Sequence, residues 1–371
     1  MRPFRPVAIR QSTVTLAMTL LACEPNRPLS PAGTQRLSAA KHVSALEGGA
    51  FFVGNFLPGP GSTNGILRYT ALGEFVDVFA PVGSGGLTIG CCLAFGPDDN
   101  LYVGSPLTAS VLRYNGATGQ FIDEFVTPGS GGLVSPVVIA FGPDGNLYVG
   151  DFGAGRAEPA VRRYDGRSGA FLDVFVEANG GGMVGAPDPQ HFAWGPDGNV
   201  YVAAPAAGKV LRFDGRTGHF LDAFVTNEAG RPPVGGGLAF GPDGALYVAS
   251  TAAVMRFDGR TGAYIDTFVA SGSGGLSGTV GILFGPDGNL YVSDFVIGSV
   301  LRYHGQSGAF IDEFLPRGRG PISGPRTIAF KLKLQVCHRP PGHPHEARTI
   351  SVGQLDAANH VAHGDDVGAC R

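Results

Sequence analysis

Charge is scarce in this sequence. Only 15% of its 371 residues are Asp, Glu, Lys or Arg, and the formal net charge is −3. Nothing in that balance can neutralise a phosphate backbone, so nucleic acid is not an expected partner. Several motifs of catalysis are also missing. There is no G-x-S-x-G nucleophile turn and no H-E-x-x-H zinc helix. The GSGGL stretches at 83–87, 129–133 and 272–276 lack the Lys and following helix of a phosphate-binding loop, and read as turns. The apolar run Val14–Ala22 is too short to span a bilayer.

Glycine and proline are plentiful instead, at 60 and 28 residues. Without a period they would suggest low complexity, but here they recur in step. The phrase FGPDGNLYVG at 141–150 has near copies starting at Phe95, Trp194, Phe240 and Phe284, so successive starts lie 46, 53, 46 and 44 residues apart. A second phrase follows each copy, as in VRRYDGRSGAFLDVFV from Val161. A degenerate copy opens the array with FFVGNF at 51–56 and ILRYTALGEFVDVFA at 66–80.

Each unit holds four short runs rich in Phe, Tyr, Val, Ile and Leu, too short for helices and separated by turn residues. Two tight hairpins per unit make a four-stranded antiparallel meander that is apolar on both faces. Radial packing of six such sheets covers both faces, which predicts an all-β, six-bladed β-propeller. The first unit lacks an innermost strand, and an orphan PRTIAF stands at 325–330 after the last unit. The C-terminal strand is therefore expected to complete the first blade and close the ring. The repeats resemble those of NHL-type and related six-bladed propellers of exported bacterial proteins. That resemblance covers about residues 46–330 and speaks to fold.

Arg recurs on the third strand of each unit, at 68, 113, 163, 212, 256 and 302, and Asp on the fourth, at 77, 123, 173, 222, 266 and 312. Across a hairpin these pairs should lie opposite each other as modest structural ion pairs at an exposed rim. Function is sought where the repeat breaks. The short turns share one face, and the extra length of the other face gathers in NFLPGPGSTNG, DFGAGRAEPA and EANGGGMVGAPDPQH.

The residues entering each inner strand should face the central channel. They are Cys91 and Cys92, Val137 and Val138, Gln190 and His191, Gly236 and Gly237, Val280 and Gly281, Arg326 and Thr327. The residue after each second strand is Asn55, Ser105, Asp151, Ala204, Ser250 or Asp294. Two readings stand for Asn55, Asp151 and Asp294: convergence on a Ca²⁺ in the channel, or bonds to the backbone of their own loops. The candidate ligand-binding set on the loop-rich face is Asn55, Asp151, Arg156, Glu158, Asp188, Gln190, His191, Asp294 and Arg326. Gluconolactonase-like and streptogramin-lyase-like propellers share the general shape. The first holds a divalent metal with acidic and Asn ligands, and the second uses His, an acidic residue and a metal. This chain has one channel-top His and no inner-strand carboxylate, so the expected function is binding of a protein, glycan or small molecule by a monomer. Metal-dependent hydrolase or lyase activity is the alternative. Cys91 and Cys92 read either as small buried residues or as a vicinal disulfide.

Outside the repeats, residues 1–23 carry Arg2, Arg5 and Arg10 ahead of the apolar run and end in Leu-Leu-Ala-Cys, which resembles a bacterial lipobox with Cys23 as the lipidated residue. Export follows, with a membrane anchor at Cys23 and a tether over 24–45. The propeller occupies 46–330, and the Cys/His-rich segment 331–371 is a separate C-terminal module. Its CHRPPGHP, Thr349-Ile350 and HVAHGDDVGAC resemble a short module at the C-termini of bacterial surface proteins. Three readings compete there: a Cys337–Cys370 disulfide, a Zn²⁺ or Cu²⁺ site using His338, His360, His363 and Asp365, or a disordered tail.

Overall fold

The computed structural model describes residues 49–56, 65–153, 159–177, 189, 191–228, 231–338, 347–353 and 366–367. Among them, six four-stranded antiparallel sheets form a six-bladed propeller, and helix is limited to single 3₁₀ turns. Blade two is a meander of Cys92–Phe95, Leu101–Ser105, Ser110–Tyr114 and Phe121–Val126, counted from the channel outward. Blades three to six repeat it from inner strands Pro136–Phe141, His191–Trp194, Leu238–Phe240 and Thr279–Phe284.

Blade one is assembled from both ends of the array. Pro325–Lys331 lies innermost and pairs antiparallel with Ala50–Asn55, which leads to Ile66–Thr70 and Phe75–Ala80. The ring therefore closes by main-chain hydrogen bonds, as the orphan strand implied. A basic clasp reinforces the closure. Lys331 donates from Nζ to the carbonyls of Asp99 and Gly116 at 2.9 and 2.8 Å, and lies 3.0 Å from the Asp99 carboxylate. Asp99 sits at φ 63°, in the left-handed region where the other copies of this turn place Gly. The departure from the repeat thus coincides with the partner of the closing strand.

The repeated phrase encodes contacts between blades. Its first aromatic packs edge-on against the second-strand aromatic of the preceding blade. Phe95 meets Phe52 at 4.9 Å between ring centroids, Phe141 meets Tyr102 at 4.8 Å, and Trp194 meets Tyr148 at 4.8 Å. Phe240 on Tyr201, Phe284 on Tyr247 and Phe330 on Tyr291 complete the circuit at 4.9, 4.8 and 5.1 Å. Each such pair contributes about 0.5–1.5 kcal/mol beyond its buried area. The Tyr hydroxyl has a second task, donating to the Asp of its own turn, as Tyr102 does to Asp98 at 2.9 Å. Asn100 of that turn accepts a hydrogen bond from the Gly116 N–H of the other hairpin turn at 3.3 Å, which puts both short turns on one face.

The Arg and Asp ladders stand opposite each other in register, Arg163 against Asp173 for example, and in all six blades the Arg chelates the carboxylate. Each Arg also covers an outer-strand Phe, Arg163 lying 5.2 Å above Phe175. The GSGG stretches are 3₁₀ turns between blades. They require Gly because the outer-strand Phe lies on them: a Cβ on Gly131, at φ 59°, would stand 2.0 Å from the Phe171 ring. After the ring, Lys333–His338 pairs with Arg348–Gly353 and Asp366–Val367 in a sheet of its own.

Candidate functional site

The inner strands are sheet edges that converge on the ring axis, so the residues at their entrances meet from all six blades. They enclose a cavity of about 40 Å³, room for a few waters. Its walls come from Cys91, Val137, His191, Gly236, Val280 and Arg326, with their strand neighbours. These belong to the pairs that the sequence places at the channel mouth.

Two side chains give this cavity its chemistry. Arg326 opens the closing strand. Its guanidinium lies 5.1 Å from the centre of the Phe56 ring, and among the described residues it has no carboxylate partner. All six ladder arginines, by contrast, are neutralised. His191 begins the inner strand of blade four, paired with Ala203. Its side chain keeps some exposed surface, yet Nδ1 is sealed from water and bonded to nothing among the described residues. Burial pushes the His191 pKa down to about 4, so the ring is neutral at pH 7. Among the described residues no carboxylate lines the cavity. Among the described residues no three His, Cys, Asp or Glu side chains stand close enough to hold a metal.

Asn55, Asp151 and Asp294 lie further out, fully buried at the ends of second strands. Asp151 accepts backbone N–H groups of Val134, Ser135 and Gly153 at 3.1, 2.8 and 3.1 Å. Asp294 accepts those of Ser277, Gly278, Val296 and Ile297 at 2.6–3.1 Å. The Asn55 Oδ1 accepts from Ser323 and Gly324, both at 3.0 Å. In each of these three blades the side chain ties the second strand to the loop that enters the inner strand. For Asp151 and Asp294 these bonds include the backbone of their own loops, through Gly153 and through Val296 and Ile297, whereas the Oδ1 bonds of Asn55 run to the segment before the closing strand.

Sequence reasoning missed Arg162. It is buried, donates to Asp151 at 2.9 Å and to the Gly131 carbonyl at 2.6 Å, and forms the deepest ion pair among the described residues. The signal was present: the other copies read ILR, VLR or VMR, and only this one reads VRR. Thr327 was named at the mouth without a role, and its hydroxyl donates to the Cys91 carbonyl at 2.8 Å, joining blades one and two there.

Cys91 and Cys92 are buried free thiols with Sγ atoms 3.5 Å apart. His338 and Cys337 are described. Cys23, Arg156, Glu158, Asp188, Gln190, His360, His363, Asp365 and Cys370 lie outside the described residues, as do parts of all three long loops.

No family model and no curated protein matches the chain. Solved structures do. A chain of a nidogen/laminin complex is 17% identical with a TM-score of 0.53, over 76% of this chain and 98% of its own. A Bacteroides caccae protein of unknown function is 13% identical with a TM-score of 0.55, over 76% and 98%. Catalytically inactive virginiamycin B lyase from Staphylococcus aureus, solved with quinupristin, is 14% identical with a TM-score of 0.50, over 77% and 92%. At these identities the likeness is one of fold.

Proposed function

We propose that the protein is an exported, non-enzymatic binding propeller whose loop-rich face receives a ligand at the channel mouth, with an acidic group of that ligand against Arg326. The observation that carries this reading is a guanidinium without a carboxylate partner among the described residues, at a cavity reached from every blade. His191 lines the same cavity and, being neutral at pH 7, adds no competing charge to it. Such a mouth prefers an anionic group over a neutral one.

Isothermal titration of the full chain with succinate, gluconate and glucuronate tests this. Saturable binding by at least one, weakened about tenfold or more in Arg326→Gln, is the expected result. Equal binding by both proteins, or no binding by any of the three, would overturn the mouth as the site. Metal-dependent turnover of a lactone would favour the enzymatic alternative instead.

The other parts of the reading rest on sequence. Cys23 is the lipid anchor of an exported, monomeric protein, with 24–45 as tether. Among the described residues no helix is long and apolar enough to cross a membrane. The closing strand runs to Lys331, one residue past the expected boundary, and the residues after it act as a separate module stapled by Cys337–Cys370. Cys337 is buried, which supports the staple. His338, His360, His363 and Asp365 remain the candidate Zn²⁺ or Cu²⁺ ligands of that module.

A further inference from the structure

Consecutive residues of a strand point to opposite faces. Cys91 and Cys92 break that rule, because Cys91 lies just before the strand Cys92–Phe95 begins. Both thiols approach the Pro136 carbonyl of the next blade, at 3.8 and 3.6 Å, and they come within 3.5 Å of each other. The room is built in: a Cβ on Gly104 would stand 2.4 Å from the Cys92 Sγ. Cys91 also forms part of the cavity wall, with Arg326 on the same cavity.

We propose that Cys91 and Cys92 form a peroxide-oxidisable dithiol, with Cys91 the attacking thiol and Cys92 the resolving one. The hydrogen bond between the two thiols and the charge of Arg326 hold the Cys91 thiol below the usual thiol range, while Cys92 is pushed up. The Cys91 thiolate attacks one oxygen of hydrogen peroxide, the O–O bond breaks, and the departing hydroxide takes the thiol proton as water. The Cys91 sulfenic acid that results is attacked by the Cys92 sulfur. An S–S bond forms, the S–O bond breaks, and a second water leaves with the Cys92 proton. Two thiols lose two electrons and two protons in all, and one peroxide becomes two waters. The cavity sets the oxidant's size: about 40 Å³ admits a molecule near the size of water and excludes glutathione disulfide. This inference does not depend on which ligand the mouth binds.

The test uses the reduced full chain with dilute hydrogen peroxide, followed by denaturation, alkylation and digestion. The tryptic peptide 69–113 contains Cys91 and Cys92 and no other Cys. It should lose two hydrogens, resist alkylation, and regain both alkylation sites after dithiothreitol. Cys92→Ala should stop at a sulfenic acid that dimedone traps. Arg326→Gln should slow oxidation severalfold or more at neutral pH, because the cation that favours the Cys91 thiolate is gone. Glutathione disulfide should react far more slowly than peroxide. Two alkylatable thiols after peroxide, at doses that oxidise free cysteine, would overturn the proposal. So would oxidation by glutathione disulfide as fast as by peroxide, because the cavity would then not control access.

Discussion

Acid should loosen this propeller through one imidazole. His191 is held at a pKa of about 4 in the fold by burial, against 6.5 for the free side chain. Between those values the unfolded chain binds the proton that the folded chain refuses. The His191 contribution is therefore fully present above about pH 6.5, falls as pH drops through the window, and levels off below about pH 4. Taking the protein from about pH 7.5 to about pH 4.5 gives a loss of about 2.5 kcal/mol from this group alone. Some exposed ring surface makes that figure a ceiling, and a loss above about 1 kcal/mol is expected. Other groups titrate in the same range, so the measurement is a difference. Urea unfolding of the wild type and of His191→Gln at each pH isolates the imidazole, since Gln carries no proton through the window. The stability gap between the two should move by about 1–2.5 kcal/mol to the disadvantage of the wild type as pH falls. A gap constant to within about 0.5 kcal/mol would show that the ring is solvated in the native state, and would refute its burial.

Adjacent arginines should behave differently. Arg162→Ala leaves the Asp151 carboxylate buried with its cation gone and should cost about 3–5 kcal/mol in urea unfolding, whereas Arg163→Ala should cost about 1 kcal/mol. Lys331→Ala removes charged donors from two carbonyls at the closing strand and should cost about 1.5–3 kcal/mol, mainly by faster unfolding. Deleting 325–371 should unfold the ring, and deleting 335–371 should leave it intact by circular dichroism; equal, mild effects would contradict closure by the last strand. Cys23→Ser should release the protein from the membrane fraction, and unchanged partitioning would point to another attachment.

The blades were legible because five near-identical copies mark which features the architecture demands. Apolar alternation, turn chemistry and the ten-residue Arg–Asp spacing each act within one hairpin, where sequence distance fixes spatial distance. Ring closure was legible for a related reason: one strand was missing at one end and one was left over at the other. What escaped were contacts between residues far apart in sequence. Lys331 meets Asp99 across 232 positions, and no local pattern announces it. The aromatic of FGPDG was visible as a repeat, but its partner belongs to the previous blade, some forty residues earlier by the repeat period. Arg162 was legible only as a departure from the other copies, and its charge near Asp151 was the available clue. At the mouth, position could be read from the repeat register, but the seal around the His191 Nδ1 could not.

The ring divides its charges in a way that bears on what the mouth can hold. On the short-turn side each ladder Arg is paired with its own Asp, and in blades two to six it also lies 3.6–3.9 Å from the Asp of the FGPDG-type turn, so each of these cations already has carboxylate partners. Deeper in, Arg162 is matched by Asp151. Arg326 has no such match among the described residues, and it sits where six edges meet and where His191 is kept neutral. An anionic group about 4 Å from that guanidinium would gain about 4 kcal/mol at an effective dielectric of about 20, before its own desolvation is subtracted. A neutral hydroxyl there gains a hydrogen bond of about 0.5–1.5 kcal/mol net. The difference favours acids over neutral sugars at this mouth. A cavity of about 40 Å³ limits the part that enters to a small acidic head, leaving selection of the remainder to the longer loops around it.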